Sequence, residues 1–257
     1  MANWTAFPYA GDYTFDAASV KKNWARLHVG DAEPLPLDDK VLEAWALFHN
    51  GEFQNAADLG LQLGGDGLTV ANKAACIYAN YLEKKEKSRL DLYLEVARRA
   101  EAQVLQNPQN INAYYWQAYA LSRYSQGISV AKALAQGLGT KVKDSLENVI
   151  KLEPRHADAH IALGAFHAEV IDKVGSLIGG MTYGAKKDTG LALLQEALKL
   201  NFYSAIGMIE YANAMVMLEG EKMIQDATRL YQQAAAAKPM DAMERLDVEM
   251  AKVELED

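Results

Sequence analysis

The chain has 257 residues, half of them hydrophobic and 23% charged, which is the composition of a folded globular protein rather than a disordered one. Its formal net charge of -8 would repel a phosphate backbone and argues against general nucleic-acid binding. Cys76 is the only cysteine, which excludes an intramolecular disulfide and any cysteine-rich metal site.

The start of the chain has no basic stretch followed by an apolar run, and no segment approaches 18 uncharged apolar residues. We therefore expect a cytoplasmic protein without membrane insertion. A periplasmic location would follow only if an export signal had been removed from the sequence.

The first predicted element is a short amphipathic helix over residues 15–27, with Val20, Trp24 and Leu27 on one face. Gly30 and the Pro34-Leu35-Pro36 break follow it. We expect residues 1–36 to form an N-terminal capping segment.

Residues 37–240 contain helical segments with small residues at matching positions. A first copy is marked by Ala44, Leu47, Gly51, Phe53 and Ala56, and a second, over residues 71–108, by Ala74, Ala75 and Tyr78. Later segments each end in an amphipathic turn and a residue that stops the helix: Pro108, Pro154, Phe202 and Pro239. The stops are 46, 48 and 37 residues apart.

The fourth and fifth segments carry the clearest pattern, in His160, Leu163, Gly164 and His167, and then in Ala227, Tyr231, Ala234 and Pro239. They resemble the tetratricopeptide repeat (TPR). The resemblance implies an all-α, TPR-like α-solenoid of about five helical hairpins. Small residues let crossing helices approach to about 8 to 10 Å, so we expect Ala212 and Ala227 at such crossings.

The spacing of the stops exceeds the roughly 34 residues of a standard TPR unit. The extra length falls in residues 122–141 and 168–189, which have a helical pattern. Glycines there predict breaks, at Gly127, Gly137, Gly139, Gly175, Gly179 and Gly180.

These lengthened hairpins, with the segments Lys151-Leu-Glu-Pro-Arg-His-Ala-Asp-Ala-His160 and Tyr183-Gly-Ala-Lys-Lys187, resemble one branch of the TPR proteins over residues 71–257. That branch includes the T component of some TRAP-type solute transporters and the regulator-of-microtubule-dynamics proteins. A final amphipathic helix in residues 241–257 is expected to cap the array, and the whole of residues 1–257 to form a single domain.

Three histidines, His156, His160 and His167, have a spacing that could hold a metal on one helix. His160 and His167 occupy packing positions of the repeat, however, so we predict no metal site. The segment Gly179-Gly-Met-Thr-Tyr-Gly-Ala-Lys-Lys187 lacks the lysine directly after the second glycine that a phosphate loop requires.

The basic run over residues 84–89 alternates with acidic residues, as a solvated helix face does. No nucleophile motif stands out, so we predict no catalytic residues, no cofactor and no enzyme activity.

Stacked helical repeats form a concave surface lined by their first helices. In TPR-like arrays the second, fifth, ninth and twelfth places of the first helix face it. By the resemblance, the groove-lining residues are Trp45, Phe48, Asn112, Tyr115, Tyr119, Ile161, Ile209 and Asn213.

Two functional hypotheses follow from this aromatic and amide-rich lining. The first is a non-catalytic interaction module whose groove binds a peptide or partner protein. The alternative is a small-molecule or solute-binding protein, in which the insertions close the groove into a pocket for an apolar or amphipathic ligand. A third reading of the lining, that the aromatic residues are ordinary core, stays open, and the sequence leaves room for a homo-oligomer.

Overall fold

The structure is a computed structural model that describes residues 3–256, and every regular element in that range is helical. The α-helices are α1 (Ala17–Leu27), α2 (Asp39–His49), α3 (Phe53–Leu63), α4 (Gly67–Tyr81), α5 (Glu86–Gln106), α6 (Ile111–Gln126), α7 (Val130–Ala135), α8 (Leu138–Leu152), α9 (Ala157–Tyr183), α10 (Lys187–Leu200), α11 (Ala205–Glu219), α12 (Ile224–Ala235) and α13 (Ala242–Glu256). A 3₁₀ turn, Glu221–Met223, precedes α12.

The helices pack as five consecutive hairpins, which confirms the all-α, TPR-like prediction. The pairs are α2 with α3, α4 with α5, α6 with α8, α9 with α10, and α11 with α12. The additional helix α7 lies between the two helices of the third hairpin, and α9 is extended to 27 residues. These are the two places where the spacing of the stops predicted inserted residues.

The first helices of the last three hairpins begin in the same way, with a capping residue two positions after each stop. Asn110, His156 and Ser204 each accept a hydrogen bond from the backbone N–H three residues later, at 3.0 Å. A side-chain acceptor at this position satisfies one of the backbone donors that a helix leaves unpaired at its N-terminus. The repeat is therefore encoded as a stop followed by a cap.

Some glycines of the insertions end or kink a helix, and others lie inside one. Gly127 ends α6, Gly137 separates α7 from α8 with a φ of 63°, and Gly175 kinks α9 with a φ of 81°. The expected breaks at Gly139, Gly179 and Gly180 were wrong, because these residues lie inside α8 and α9. At Gly179 a Cβ would lie 3.0 Å from Val170 Cγ1, so this glycine provides close packing rather than a break.

Two helix crossings are very close, one between the first and second hairpins and one within the fourth. At Gly60 on α3 an added Cβ would lie 2.4 Å from the carbonyl oxygen of Gly67 on α4. At Gly164 on α9 an added Cβ would lie 2.6 Å from Leu194 Cγ on α10. Ala212 and Ala227, which we expected at crossings, are both buried.

The chain divides into two compact units. The first contains residues up to His28, Glu33–Leu152 and Met240–Met243, and the second contains Val29–Ala32, Glu153–Pro239 and the residues from Glu244 onward. The second unit has two apolar clusters, one around Ile161 and Leu194 and one around Ile209, Ala234 and Val248. The single domain over residues 1–257 stays a prediction.

Candidate functional site

The two predicted site residues of the first hairpin lie inside its core. Trp45 and Phe48 on α2 have no exposed surface, and their ring centroids are 5.6 Å apart. The ammonium of buried Lys73 on α4 lies 5.6 Å from the Trp45 centroid and 5.2 Å from that of Phe48. Both rings therefore pack between helices in this conformation, and their role in binding stays a prediction.

The three predicted residues of the third hairpin lie along α6. Asn112 is buried and its side-chain N–H donates to Oε2 of Glu33. Tyr115 is buried against Trp116, with ring centroids 4.9 Å apart. Tyr119 is half-buried and lies under the Arg123 guanidinium, 5.4 Å from the ring centroid. Of the three, Tyr119 offers the most side-chain surface to a partner.

In the second unit, two of the three predicted residues are core and one is accessible. Ile161 and Ile209 belong to the two apolar clusters of that unit. Asn213 is half-buried, and its Oδ1 accepts a hydrogen bond of 2.6 Å from the Tyr231 hydroxyl. Burial raises the pKa of Tyr231, as do the charges of Glu254 and Glu210, while the bond to Asn213 opposes the rise.

The first unit also contains a polar cluster that the sequence reasoning missed. Arg99 Nε donates to Asn72 Oδ1 at 2.6 Å, and Asn72 Nδ2 donates to Gln103 Oε1 at 2.7 Å. Arg123 lies over the Tyr119 ring, and the charges of both Arg99 and Arg123 act on the Cys76 thiol of α4. We call Asn72, Arg99, Gln103, Tyr119 and Arg123 the α4–α6 polar cluster. The positional rule used on the sequence reads only the first helix of each hairpin, whereas Arg99 and Gln103 lie on α5, the second helix of its hairpin.

Burial and charge act together around this cluster. Burial raises the pKa of the Cys76 thiol, and the positive charges of Arg99 and Arg123 oppose that rise. Burial also raises the pKa of the Tyr93 phenol, and it lowers the pKa of the Arg99 guanidinium. A guanidinium held in a partly dry site offers planar, directed donors for carbonyl, carboxylate or phosphate oxygens.

A cavity of about 210 Å³ adjoins Asn112 in the first unit. Its lining includes polar residues, among them Glu33, Asp66 and Asn110, and the apolar residues Leu35 and Leu37. Drug-sized ligands usually occupy cavities of about 300 to 1,000 Å³, so this cavity suits only a small group.

The three histidines have structural roles. His156 caps α9, and His160 Nδ1 lies 2.9 Å from the His156 carbonyl oxygen. His167 Nδ1 accepts a hydrogen bond of 3.2 Å from the backbone N–H of Lys186. Within residues 3–256 no group of three potential ligand side chains is arranged to hold a metal ion.

Two further segments singled out in the sequence also have structural roles. The glycine segment ends α9, with Gly184 in the left-handed conformation at the helix C-terminus. The basic run over residues 84–89 lies at the start of α5 and is largely exposed. Over the described residues, no helix combines the length and the apolar character needed to cross a membrane.

Comparison with known proteins agrees with this architecture. A family model described as Regulator of microtubule dynamics protein 1-3 matches residues 45–174, which is just over half of the chain. The crystal structure of a thermophilic TPR protein from Thermus thermophilus superposes with a TM-score of 0.58 at 17% identity, covering 84% of this chain and 98% of that one. At this identity the likeness shows the fold alone. A comparison with curated protein sequences gave no significant match. With a TPR-like fold and a family match over half its length, the chain belongs to the Regulator of microtubule dynamics protein 1-3 family.

Proposed function

We propose that the chain is a non-catalytic interaction module that binds an extended peptide segment of a partner protein. The α4–α6 polar cluster carries this proposal, because it combines guanidinium, amide and phenol groups on adjacent helices of a TPR-like fold. Amides pair with the donors and acceptors of a peptide backbone, and tyrosine adds rigid contact area with little loss of conformational entropy.

Within this proposal the predicted site residues divide into two groups. Tyr119 and Asn213 contact the partner directly, each within its own unit, since both side chains are partly exposed. The remaining residues fix the positions of the helices that carry the contact surface: Trp45, Phe48, Asn112, Tyr115, Ile161 and Ile209.

A random peptide library displayed on phage tests the proposal, because it makes no assumption about the identity of the partner. We expect selection on the purified full chain to give peptides that bind saturably in isothermal titration calorimetry. Tyr119→Ala and Arg99→Ala should each weaken binding at least tenfold, as the loss of a central contact does. Tyr114→Ala and Arg98→Ala are matched controls on the same helices and should leave the affinity unchanged.

Two outcomes would count against the proposal. Selection could give no peptide that binds the folded chain above background. Alternatively, the control substitutions could weaken binding as much as Tyr119→Ala and Arg99→Ala do, which would place the contact elsewhere.

The alternative function, solute binding, is favoured by one observation, the cavity beside Asn112. Its volume of about 210 Å³ and its carboxylate and amide lining suit a small polar or cationic ligand better than a large amphipathic one. Native mass spectrometry of the protein purified from its source organism distinguishes the two functions. A bound small molecule that is released on denaturation, and lost in Asn112→Ala, would favour the solute-binding function.

A further inference from the structure

Residues 3–15 form an extended segment that lies on the first hairpin of the chain. It contains no helix, and a turn over residues 8–12 divides it into two arms. Most of its residues are exposed, whereas Phe7 is buried. The segment therefore contacts the helices through a few anchors rather than through a continuous apolar face.

The first anchor is Trp4. Its indole stacks on the ring of Tyr78 at the end of α4, with centroids 4.2 Å apart and an angle of 9° between the planes. The Tyr78 hydroxyl accepts a hydrogen bond from the Thr5 backbone N–H at 3.3 Å and donates to Glu83 at 3.0 Å. Tyr78 thus binds both the side chain and the backbone of the segment.

The second anchor is Phe7, which occupies a site that exists because Gly51 has no side chain. A Cβ at Gly51 would lie 2.4 Å from Cδ1 of the Phe7 ring. The ring also meets Phe53 edge-on, with centroids 6.1 Å apart. Gly51 has a φ of 85°, so both its backbone and the available space favour glycine.

Side-chain amides of the helices recognise the backbone of the segment. Gln54 Oε1 accepts a hydrogen bond from the Trp4 N–H at 2.9 Å. Asn50 binds Phe15 twice: its Oδ1 accepts from the Phe15 N–H at 2.6 Å, and its Nδ2 donates to the Phe15 carbonyl at 3.0 Å. Recognition of backbone by amides, with aromatic side chains in sites along it, is how proteins bind extended peptides.

The segment does not fill the space beside the turn between α2 and α3. A cavity of about 590 Å³ remains between residues 4–15 of the segment and residues 50–55 of the hairpin. This volume is within the range of about 300 to 1,000 Å³ that ligand sites have. The surface can therefore accept a segment with bulkier side chains than the one it holds.

We propose that Asn50, Gly51, Phe53, Gln54 and Tyr78 form a second peptide-binding site, which the chain's own 3–15 segment occupies until a partner's extended segment replaces it. The replacing segment carries an aromatic residue and, three positions later, a phenylalanine, as Trp4 and Phe7 do. This site is separate from the α4–α6 polar cluster, so either proposal can fail while the other stands.

Because residues 3–15 are covalently linked to the helices that they contact, a free peptide must compete with them for the site. A segment on a short linker competes at an effective concentration on the order of 1 mM, so a free peptide of the same sequence binds the intact chain far more weakly than an emptied site. A partner replaces the segment by filling the remaining cavity or by binding at a second point as well. The affinity of the emptied site is thus the quantity to measure.

The experiment uses the full chain with Trp4→Ala and Phe7→Ala together, which removes both anchors and leaves the five site residues intact. A fluorescein-labelled peptide with the sequence of residues 3–15 is titrated against this variant and the parent chain by fluorescence anisotropy. We expect saturable binding to the variant that is at least tenfold tighter than binding to the parent. A peptide with alanine at the positions of Trp4 and Phe7 should not bind.

Matched substitutions locate the binding. On the variant background, Gln54→Ala removes the bond to the Trp4 N–H and should weaken binding about fivefold, the effect of one hydrogen bond. Gln62→Ala changes an exposed glutamine on the same helix, outside the cavity, and should have no effect. If the folded variant fails to bind the peptide, or binds it no more tightly than the parent does, the proposal is wrong.

Hydrogen exchange on the parent chain gives a second test that does not depend on the variant's folding. If the segment is displaceable, the amides of Trp4, Thr5 and Phe15 should exchange through a local opening, much faster than the amides of α2 and α4. Exchange of these amides only at the rate of global unfolding would overturn the proposal. So would a parent dimer that Trp4→Ala and Phe7→Ala together abolish, because that result would assign the site to a second copy of the chain.

Discussion

Nδ1 of His49 on α2 lies 2.6 Å from Oδ2 of Asp241, although 192 residues separate them in the sequence. The His49 side chain has no exposed surface and that of Asp241 is 3% exposed. The pair links Met240–Met243 to α2 of the first unit. Most of the second unit lies between α2 and Met240–Met243 in the sequence. A buried carboxylate with a bonded partner is stable there, but a buried group left without its partner is costly.

We therefore expect Asp241→Ala to lower the free energy of unfolding by about 3 kcal/mol, because it leaves the buried imidazole without this acceptor. Urea denaturation followed by circular dichroism at 222 nm measures the change. Asp226→Ala is the matched control, since Asp226 forms an exposed ion pair with Arg229 and should contribute less than about 1 kcal/mol. Equal losses of unfolding free energy in the two variants would show that the buried pair stabilises the fold no more than the exposed ion pair does.

At the crossing of α3 and α4, the prediction depends only on the size of the side chain at residue 60. Gly60→Ala places a methyl group 2.4 Å from the Gly67 carbonyl oxygen, and backbone cannot move aside as a flexible side chain can. We expect a loss of about 1 to 3 kcal/mol in the free energy of unfolding, as overpacking usually costs.

The control for this substitution is Gly180→Ala. In α9 the new methyl group would lie 3.6 Å from the Ala185 carbonyl oxygen, which is an ordinary contact. Since alanine favours helix over glycine, this variant should gain about 0.5 to 1 kcal/mol. Thermal melts of the two variants should move in opposite directions, and a common direction would refute the crossing argument.

The last three hairpins could be predicted because each marks the start of its first helix. A stop such as Pro154 and a cap such as His156, two residues later, fix the start of a first helix in sequence as well as in structure. The glycines were harder to interpret, because the sequence does not distinguish a backbone requirement from a packing requirement. Gly175 has a positive φ and kinks α9, while Gly179 lies inside the same helix and only needs to be small.

The candidate sites were less predictable. The position rule places Trp45 and Tyr119 at equivalent sites of a groove, yet the structure buries the first and leaves the second half-exposed. Burial depends on which neighbouring elements cover a helix, and a single repeat does not encode that. Residues 3–15 have no helical period, so nothing in their pattern indicated that Trp4 would stack on Tyr78.

Asn213 provides a test that links stability to binding. Its Oδ1 is occupied by the Tyr231 hydroxyl at 2.6 Å, so a partner that donates to Asn213 must compete with that bond. Tyr231→Phe should lower the free energy of unfolding by about 1 kcal/mol and strengthen the binding of a peptide that contacts Asn213.

Tyr211→Phe is the control for this substitution. The Tyr211 hydroxyl accepts an exposed hydrogen bond of 2.8 Å from Gln195, and its loss should change neither stability nor binding by more than about 0.5 kcal/mol. Calorimetric titration and urea denaturation of both variants provide the comparison. A Tyr231→Phe variant that binds a selected peptide more weakly than the parent would show that the Tyr231 hydroxyl does not compete with the peptide for Asn213.

The pH dependence of stability should report the burial of Cys76. Burial raises the pKa of this thiol in the folded chain, whereas in the unfolded chain it ionises near its ordinary value of about 8.5. Below that value neither state has lost the proton and stability is unaffected. Above it only the unfolded chain releases the proton, so the free energy of unfolding falls by about 1.4 kcal/mol per pH unit.

Between pH 8 and pH 9.5 this effect amounts to about 1.3 kcal/mol. Cys76→Ala lacks the thiol but keeps every other titrating group, including Tyr93, whose pKa is also raised by burial. The stability difference between the parent and Cys76→Ala should therefore shrink by that amount over this range, as measured by urea denaturation at each pH. Parallel stability curves would mean that the thiol ionises as readily in the folded chain as in the unfolded one, which its complete burial on α4 should prevent.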